Sequence, residues 1–477
     1  MLGLFSTLNL ASQSLQAQMT GIEVTGQNLA NVNTTGYSRQ VVHITANPDI
    51  QTGIGPEGTG ANATSIQQIV SNLMNSQIQS QNSTSGYWNA QQSALQSGQN
   101  DLAEFLSGNG SASGASATAA ATGATDTGLA GQLSALFNGF QSVAASPTSV
   151  PARQALVGQA QTVAASFNGV NTQLNSINQS LNASLTSDVS SANQLLTQIA
   201  TLNSQITSAQ FNGGNANDLS DEREQDLENL SQLTNISTSS GNNGAVNITI
   251  AGQTLVSGNT VNDTLQTYDP GNGNLLVQTT KGQVNLTLTG GSMQGTIDAR
   301  DGTLATLQSN LNALASTLIT QVNNVNSAGY GLTGSTGNSF FNGSDASTIT
   351  VNPALVTNPS LVQASASPTS PGDNTVALQL AQLGTTPQAG LDNQTFNGSY
   401  ASTVADLGGA LDDANSQVTN QTTVTNMLAT QRSSISGVSI DQEMTNMMTY
   451  QQAYQASAQL VTTVNTMLTD TLAMKTS

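Results

Sequence analysis

The sequence predicts a mainly α protein of long heptad helices, with the N- and C-terminal helices paired at one pole and a small antiparallel β domain inserted between helical segments. Three observations support this fold class. Apolar residues repeat at alternating four- and three-residue spacing near both ends, the same spacing runs through a long middle segment, and apolar residues alternate with polar ones over 236–290. The first two patterns are typical of helices packed along their whole length, and the third is typical of strands.

The first predicted helix spans residues 4–33. Its seam consists of Leu4, Leu8, Ala11, Leu15, Gln18, Ile22, Thr25 and Leu29. The helix ends in the sequence ANVNTTGY at 30–37. The residues expected to terminate it and redirect the chain are Asn31, Thr35, Gly36 and Tyr37. We expect Gly36 to supply a positive φ at this turn, because glycine has no Cβ to oppose it.

The last predicted helix spans residues 437–477 and repeats the pattern. Its seam consists of Ile440, Met444, Met447, Gln451, Tyr454, Ala458, Val461, Asn465, Leu468 and Leu472. Leu460, Val464 and Met467 add a second apolar flank, so we expect contact with more than one neighbour. Two heptad helices at opposite ends of one chain indicate that they pair with each other, although an ordinary intramolecular coiled coil would show the same periodicity.

Both terminal helices are expected to be marginal in a monomer. Polar residues such as Gln18, Thr25 and Asn465 occupy seam positions. Burial of a large apolar side chain contributes roughly 1.5–3 kcal/mol, and only about half of the seam positions carry one. We therefore expect these helices to fray in isolation and to become ordered when other copies supply neighbours.

The segments that follow the first helix are predicted from turn residues and periodicity. In order, they are extended or irregular chain at 34–64, a polar helix at 65–107, a low-complexity connector at 107–128, a helix at 129–145 and a very long helix at about 150–210. At about 1.5 Å per residue the last of these would be roughly 90 Å long. The sequence NGGN at 212–215 then turns the chain into a further helix that begins with acidic residues, which complement the helix dipole.

The acidic start of that helix is a candidate for carboxylate chemistry. It contains Asp221, Glu222, Glu224, Asp226 and Glu228, with Arg223 among them. Successive positions point around a helix instead of converging, so the pattern favours a solvated face over a catalytic pair.

The remaining segments complete a nested organisation. Residues 236–290 are predicted as a small antiparallel β region, 292–327 and 399–432 as helices, and 329–373 as a Pro- and Gly-rich stretch with short strands near STITVNPAL. We divide the chain into a terminal core (1–64 with 436–477), a long-helix domain (65–235 with 291–328 and 374–435), an inserted β domain (236–290) and a short loop or mini-domain (329–373).

Composition excludes several classes of function. The formal charge is −19 with seven Lys and Arg, so a basic patch for nucleic acid cannot be assembled and an anionic membrane surface is disfavoured. The chain has no cysteine, which excludes thiolate metal sites and cysteine nucleophiles. No apolar run approaches the roughly 18 residues of a membrane span, and the N-terminal residues do not resemble a cleaved secretory signal.

An enzyme is not expected, because the chain lacks the usual reagents. His43 is the single histidine, so no His-based triad or multi-histidine metal site can form within one chain. It lies in the alternating run RQVVHIT, which predicts a surface or half-buried strand position. No phosphate-binding glycine motif occurs in the sequence. We expect no cofactor and no metal.

Two terminal motifs resemble those of bacterial flagellar axial proteins, which comprise rod, hook and hook-associated subunits. ANVNTTGY after an N-terminal heptad helix resembles their signature, and SGVSIDQEMTNMMTYQQAYQASAQLVTTVNTML at 436–468 is similar to their C-terminal helix. Internal segments narrow the resemblance to the hook-associated protein 1 family: GYSRQ at 36–40, ARQALVGQAQTVAASFNGVNTQL at 152–174, NDLSDEREQDLENLSQLTNIS at 217–237 and GSMQGTIDARDGTLATLQSNLNALASTLITQVNNVNSAGYGLTG at 291–334.

The resemblance implies a structural subunit at the junction between hook and filament, located in the extracellular flagellum. It implies self-association into an axial polymer, hook protein below, a second junction protein and the filament above, and a cytosolic export chaperone at the C-terminal region. It also implies uncleaved export through the flagellar type III apparatus. The residues expected to carry assembly are Leu8, Leu15, Ile22, Leu29, Met444, Met447, Tyr454, Val461 and Leu468.

Three alternatives remain at this stage. A hook or rod subunit would also be structural, but those proteins lack the long central helices. A secreted adhesin would fit the Asn- and Thr-rich β segment, yet its β pattern should repeat along the chain. A rod-associated enzyme that cleaves peptidoglycan would need a catalytic domain that the sequence does not offer.

Overall fold

The computed structural model describes residues 3–52, 55–107 and 128–476. Most of the predicted low-complexity connector at 107–128 lies outside the described residues. The helices are α1 (Leu4–Ala30), α2 (Asn72–Ser107), α3 (Leu129–Ala145), α4 (Val150–Phe211), α5 (Asn217–Leu233), α6 (Gly291–Asp298), α7 (Ala305–Ser327), α8 (Pro353–Thr357), α9 (Thr375–Gln382), α10 (Phe396–Ser436) and α11 (Ile440–Thr476).

The strands form small antiparallel sheets, as the fold-class prediction requires. They are β1 (Gln40–Ala46), β2 (Ile50–Thr52), β3 (Gly55–Glu57), β4 (Ala61–Gln68), β5 (Ile236–Ser240), β6 (Val246–Ile250), β7 (Gln253–Ser257), β8 (Thr260–Val261), β9 (Leu265–Tyr268), β10 (Leu276–Thr279), β11 (Phe341–Asn342) and β12 (Thr350–Val351). β5 to β8 form one four-stranded sheet in chain order, and the pairs β1–β4, β2–β3, β9–β10 and β11–β12 form the others. The mainly α prediction with a small β insertion is confirmed.

The long helix α4 agrees with its predicted limits because its start carries strong local signals. The side chain of Ser149 accepts a hydrogen bond from the Ala152 backbone N–H, and Pro151 lies in the first turn, where its missing N–H costs nothing. The heptad residues from Phe167 to Ile206 then bury one stripe along the helix. α4 therefore serves as the axis on which the other segments pack.

The segment at 61–68 corrects the sequence analysis. A helix was predicted from residue 65, whereas residues 61–68 form strand β4. This strand pairs antiparallel with β1 from Gln40–Gln68 to Ala46–Ala61, with a register shift after His43. The run ATSIQQIV has no turn residue to separate strand from helix, so the apolar spacing alone was ambiguous. His43 lies on β1 opposite Ser65 and is exposed, as its strand prediction indicates.

Two apolar clusters stabilise the central part of the molecule. The larger joins α3, α4, α7, α9 and α10, and it includes residues of the 329–373 segment such as Phe340, Ile349 and Leu355. The smaller joins the second half of α4 to α5 and the β insertion. The 329–373 segment thus shares its core with the long helices. The predicted domain boundaries as a whole stay a prediction.

Arginine side chains fasten these layers together. Arg153 is fully buried, and its guanidinium donates to the carbonyl oxygens of Pro147 and Val362, which ties the α3–α4 turn to the 329–373 segment. Burial lowers the pKa of Arg153 to about 10. Arg300, in the π-helical turn Ala299–Leu304 that interrupts the predicted 292–327 helix, donates to Asn182 of α4 and to the Leu275 carbonyl oxygen.

Candidate assembly site at the chain termini

The terminal helices α1 and α11 pack against each other, as the two heptad patterns predict. Three contacts define the pairing: Ser14 Oγ with Ser457 Oγ at 2.9 Å, Gly21 with the ring of Tyr450, and Asn28 Nδ2 with Glu443 Oε2 at 3.0 Å. On each helix these positions lie seven residues apart, and they run in opposite directions along the two chains. The pair is therefore antiparallel, and we call these positions the contact stripe.

The contact stripe corrects part of the predicted seam by one residue. A Cβ added to Gly21 would lie 2.8 Å from the ring of Tyr450, so the two helices approach most closely where a side chain is absent. The large apolar residues of the predicted seam lie one position later on α1, whereas its smaller members Ala11 and Thr25 are buried. One residue rotates the seam by about 100° around the helix. The small or polar residues at 14, 21 and 28 were the signal in the sequence that the apolar pattern overlooked.

The predicted assembly residues consequently lie beside the contact stripe instead of within it. In an antiparallel pair, positions that follow the stripe by one or four residues point to the same side on both helices. This side, which we call the assembly face, consists of Leu8, Leu15, Ile22, Leu29, Met444, Met447, Tyr454, Val461 and Leu468. Met444 and Tyr454 are exposed and the other members are half-buried in the single chain.

A second uncovered apolar flank lies on the opposite side of α11. Leu460 follows the stripe residue Ser457 by three positions, Met467 and Met474 continue from it at seven-residue spacing, and all three are exposed. On α1 the corresponding side is occupied by the β1–β4 hairpin region, where Asn47 Nδ2 donates to Gln13 Oε1 at 2.9 Å. The apolar arc of α11 is therefore wider than its one helical neighbour can cover.

The motif ANVNTTGY forms the turn that ends α1. The backbone N–H and the side-chain amide of Asn31 both donate to the Gln27 carbonyl oxygen, which caps the last turn. Thr34 Oγ1 donates to Asn31 Oδ1 at 3.1 Å. Gly36 has φ +81°, a conformation that is costly for residues with a Cβ. The four predicted turn residues thus lie where α1 stops and the chain turns towards β1.

A buried polar cluster joins this turn to the start of α11. Asn28 Oδ1 accepts hydrogen bonds from Tyr37 Oη and the Gln40 backbone N–H, both at 2.9 Å. Arg39 Nε donates to Glu443 Oε1 at 2.8 Å, and the Glu443 side chain is only 2% exposed. Burial, together with nearby carboxylates, raises the pKa of Tyr37 to about 12, so its hydroxyl remains a hydrogen-bond donor. We call Asn28, Tyr37, Arg39, Gln40 and Glu443 the polar lock.

Acidic residues of α5 form hydrogen bonds with the turn that follows α1. This contact corrects the prediction that these acidic residues form a solvated face. Ser38 donates through its backbone N–H and its hydroxyl to Asp221, both at 2.8 Å. Gln40 Nε2 donates to Asp218 at 2.7 Å. Asp221, Glu224 and Glu228 of α5 thus face other parts of the protein, whereas Glu222 is exposed, as the solvated-face interpretation predicted.

Two further carboxylates of α5 face neighbouring helices. Gln79 of α2 donates to Glu224 at 2.8 Å, and Arg432 of α10 forms an ion pair with Glu228. Helical periodicity indicated that the acids do not converge on one point, but it could not indicate how many elements surround α5. The acidic cluster is therefore structural.

These buried carboxylates predict an unusual pH response. Burial raises the pKa values of Asp221, Glu224 and Glu228 above their ordinary values. The folded chain then binds protons more readily than the unfolded chain, so this contribution to stability grows as the pH falls towards the ordinary carboxyl range. We expect a higher urea midpoint at pH 5 than at pH 7.5.

The variant Glu224→Gln should flatten that pH dependence, because it removes one buried titrating group. Glu222→Gln is the matched control: it removes the same charge from an exposed position of the same helix. Equal flattening by both variants would mean that overall negative charge, and not burial on α5, causes the response.

The features described at this site are packing surfaces and structural hydrogen bonds. Among the residues that the structure describes, no group of three or more His, Asp or Glu side chains could hold a metal ion. Within that same part of the chain, no helix combines the length and apolarity needed to cross a membrane. What the geometry provides is a helix pair with apolar flanks on two sides, fixed at one end by the polar lock.

Comparisons with known proteins agree with these features. Residues 116–341 match the family described as flagellar hook-associated protein FlgK helical domain, and residues 429–474 match the flagellar basal body rod FlgEFG protein C-terminal family. Flagellar hook-associated protein 1 of Bacillus subtilis is 27% identical over 510 residues, covering 96% of each chain. The Salmonella typhimurium protein of the same name is 25% identical and covers 96% of this chain and 98% of its own.

A solved structure is also similar in fold. The flagellar hook junction protein FlgK from Burkholderia pseudomallei superimposes with a TM-score of 0.62 at 18% identity. The match covers 76% of this chain and all of that one.

Proposed function

We propose, on the premise that this chain belongs to the flagellar hook-associated protein 1 family, that it is a structural subunit of the bacterial flagellum at the junction between hook and filament. Its work there is mechanical: copies pack around the flagellar axis and connect two polymers. We assign it no catalytic step.

The observation that carries this proposal is the pair of uncovered apolar flanks on the terminal helices. The assembly face lies on one side of the α1–α11 pair, and Leu460, Met467 and Met474 lie on the other. Two different surfaces on opposite sides allow each copy to contact one neighbour on each side, which is the condition for a ring or a helical tube.

Charge supports the same assembly mode. Each arginine side chain in the described part of the chain forms hydrogen bonds with other residues of the same chain. The helix α1 carries a single charged residue, Glu23. Attraction between copies then rests on apolar and amide packing, which salt does not screen. We expect assembly to persist at high ionic strength.

The partners follow from the place of the subunit in the flagellum. We propose that hook protein lies below it and that a second junction protein and the filament lie above it. We also propose export through the flagellar type III apparatus without cleavage, with a cytosolic chaperone that covers the C-terminal helix until export. A chaperone would prevent the exposed apolar residues of α11 from associating with other proteins before export.

A rod or hook subunit is the alternative that shares the terminal helices. The match of residues 116–341 to the FlgK helical domain supports the hook-associated assignment over it. The long α4, whose 62 residues carry both apolar clusters, belongs to that same region.

Deletion of the gene tests the proposal directly. We expect cells with hooks but without filaments, and flagellin released into the medium, because filament growth would lack its starting surface. Electron microscopy of the cells and blotting of the medium measure both outcomes. Normal filaments on the deleted strain would contradict the assignment, and restoration by the plasmid-borne gene is the control.

A further inference from the structure

The exposed methionines of this chain are concentrated on the terminal helices. Met444, Met448 and Met467 on α11 are 51%, 54% and 52% exposed, and Met19 and Met474 are also exposed. By contrast, Met293 is fully buried and Met74 nearly so. Outside α1 and α11, the described part of the chain exposes Met427 of α10. The proposed contact surface between copies is therefore also the surface where thioether sulfur meets solvent.

Methionine sulfur is chemically distinctive in this protein because the sequence contains no cysteine. Two-electron oxidants convert a thioether to a sulfoxide, and reductases reverse the change. The product replaces a flexible apolar side chain with a polar one that accepts strong hydrogen bonds. An apolar interface offers the new oxygen no donor, so burial of the sulfoxide opposes association.

We propose that Met444, Met448 and Met467 form a modification site at which a peroxide oxidant blocks assembly reversibly. A sulfur lone pair attacks one oxygen of hydrogen peroxide, the S–O bond forms and the O–O bond breaks. The second oxygen leaves with its own hydrogen and takes the proton of the first oxygen, so the products are the sulfoxide and water. The sulfur is oxidised by two electrons and the peroxide is reduced by two. The effect on assembly rests on the function proposed above, whereas the selectivity of oxidation does not.

The positions of these three methionines explain why oxidation would affect free subunits more than assembled ones. Met444 belongs to the assembly face, Met448 lies one helical turn further along α11, and Met467 belongs to the opposite flank. All three are open in the single chain, and contact with neighbouring copies would cover them. Oxidation is thus possible before assembly and hindered after it, so the modification acts on free subunits.

Dilute hydrogen peroxide and peptide mass spectrometry test the selectivity on the full chain. We expect Met444, Met448 and Met467 to be oxidised at least about tenfold faster than Met74 and Met293 in the folded chain, because a buried sulfur must wait for local opening. Equal rates for exposed and buried methionines would overturn the inference without bearing on the proposed function.

Assembly on isolated hooks tests the consequence. Peroxide-treated chain should need at least about ten times more protein to assemble, which corresponds to about 1.4 kcal/mol per tenfold, and methionine sulfoxide reductases should restore it. The triple variant M444L/M448L/M467L, which keeps the exposed Met19 and Met474, should lose a smaller fraction of its own assembly to peroxide than the wild-type chain loses. Met427→Leu, which changes an exposed methionine elsewhere, should remain sensitive to peroxide.

Unchanged assembly of the oxidised chain, or loss that the reductases do not reverse, would overturn the inference. Failure of the untreated wild-type chain to assemble would instead count against the proposed function. The reductase arm applies to the wild-type sequence, so the test does not depend on the triple variant folding correctly.

Discussion

Replacing Gly21 with leucine is expected to separate the terminal helices and abolish filament formation. Even a single carbon at this position would lie 2.8 Å from the ring of Tyr450, which is closer than real side-chain contacts allow. Leucine requires the half-buried Tyr450 ring to leave its position or α11 to move away, and we expect the contact stripe on both sides of Gly21 to open. Microscopy should find hooks without filaments, as in the gene deletion, although the chain is still made.

Matched glycine variants separate this steric effect from helix propensity. Both Gly21 and Gly26 lie within α1, and a Cβ on Gly26 would meet nothing within 4 Å. Alanine favours a helix by roughly 1 kcal/mol over glycine at either position. We therefore expect Gly26→Ala to be harmless and Gly21→Ala to weaken assembly. Partial rescue of Gly21→Leu by Tyr450→Ala would identify the ring as the obstacle, and normal filaments on Gly21→Leu would contradict the observed close approach.

Replacing Arg39 with methionine is expected to open the polar lock. The variant leaves the carboxylate of Glu443, which is 2% exposed, without its charged partner. Removal of one member of a buried ion pair costs roughly 3–5 kcal/mol, and we expect about the lower value because Arg39 retains some exposure. The cost falls on the junction of α1 with α11, so the terminal pair should open locally before the central core unfolds.

Hydrogen exchange measured by mass spectrometry resolves that local opening. Peptides from α1 and the start of α11 should exchange faster in Arg39→Met, while peptides from the middle of α4 should not change. The double variant R39M/E443Q is the matched control, since it removes the unpaired charge as well, and it should be milder than Arg39→Met alone. Equal protection of α1 in wild type and Arg39→Met would show that the lock does not hold the helices together.

Long helices and the β insertion could be predicted because their signals are local. The heptad residues of α4 bury one continuous stripe, and Ser149 with Pro151 fixes where the helix begins. The strands at 236–279 alternate apolar and polar residues between clear turns. In each case the spacing of apolar residues in the sequence matches the spacing of the residues that are buried in the structure.

The register of the terminal helices could not be predicted from apolar spacing. Their closest contact is made by Ser14, Gly21 and Asn28, which a search for large apolar residues passes over. The leucines that the search found lie on the flank of the pair. Apolar residues repeat with the same period whether they contact another helix of the same chain or are left exposed for other copies. The sequence alone could therefore not distinguish the contact within the chain from a surface for other copies.

The acidic helix α5 shows a second limit of prediction. Asp221 and Glu224 are spaced as on a solvated face, yet each faces a partner far away in the sequence. The elements that surround α5 include the turn after α1, α2, α4, α6 and α10, and they come together only in the folded chain. The charge of these carboxylates did not predict that they are buried, because a carboxylate can be buried wherever hydrogen-bond donors contact it.

The most direct test of the account asks whether neighbouring copies cover the assembly face. Because the chain has no cysteine, Met444→Cys creates a single thiol on that face, and Thr238→Cys on β5 provides an exposed control outside it. We predict that a maleimide reagent labels Cys at position 444 readily in free subunits and slowly in assembled flagella, while labelling at position 238 remains fast in both. Equal labelling of position 444 before and after assembly would contradict the claim that the terminal helices complete their packing with other copies.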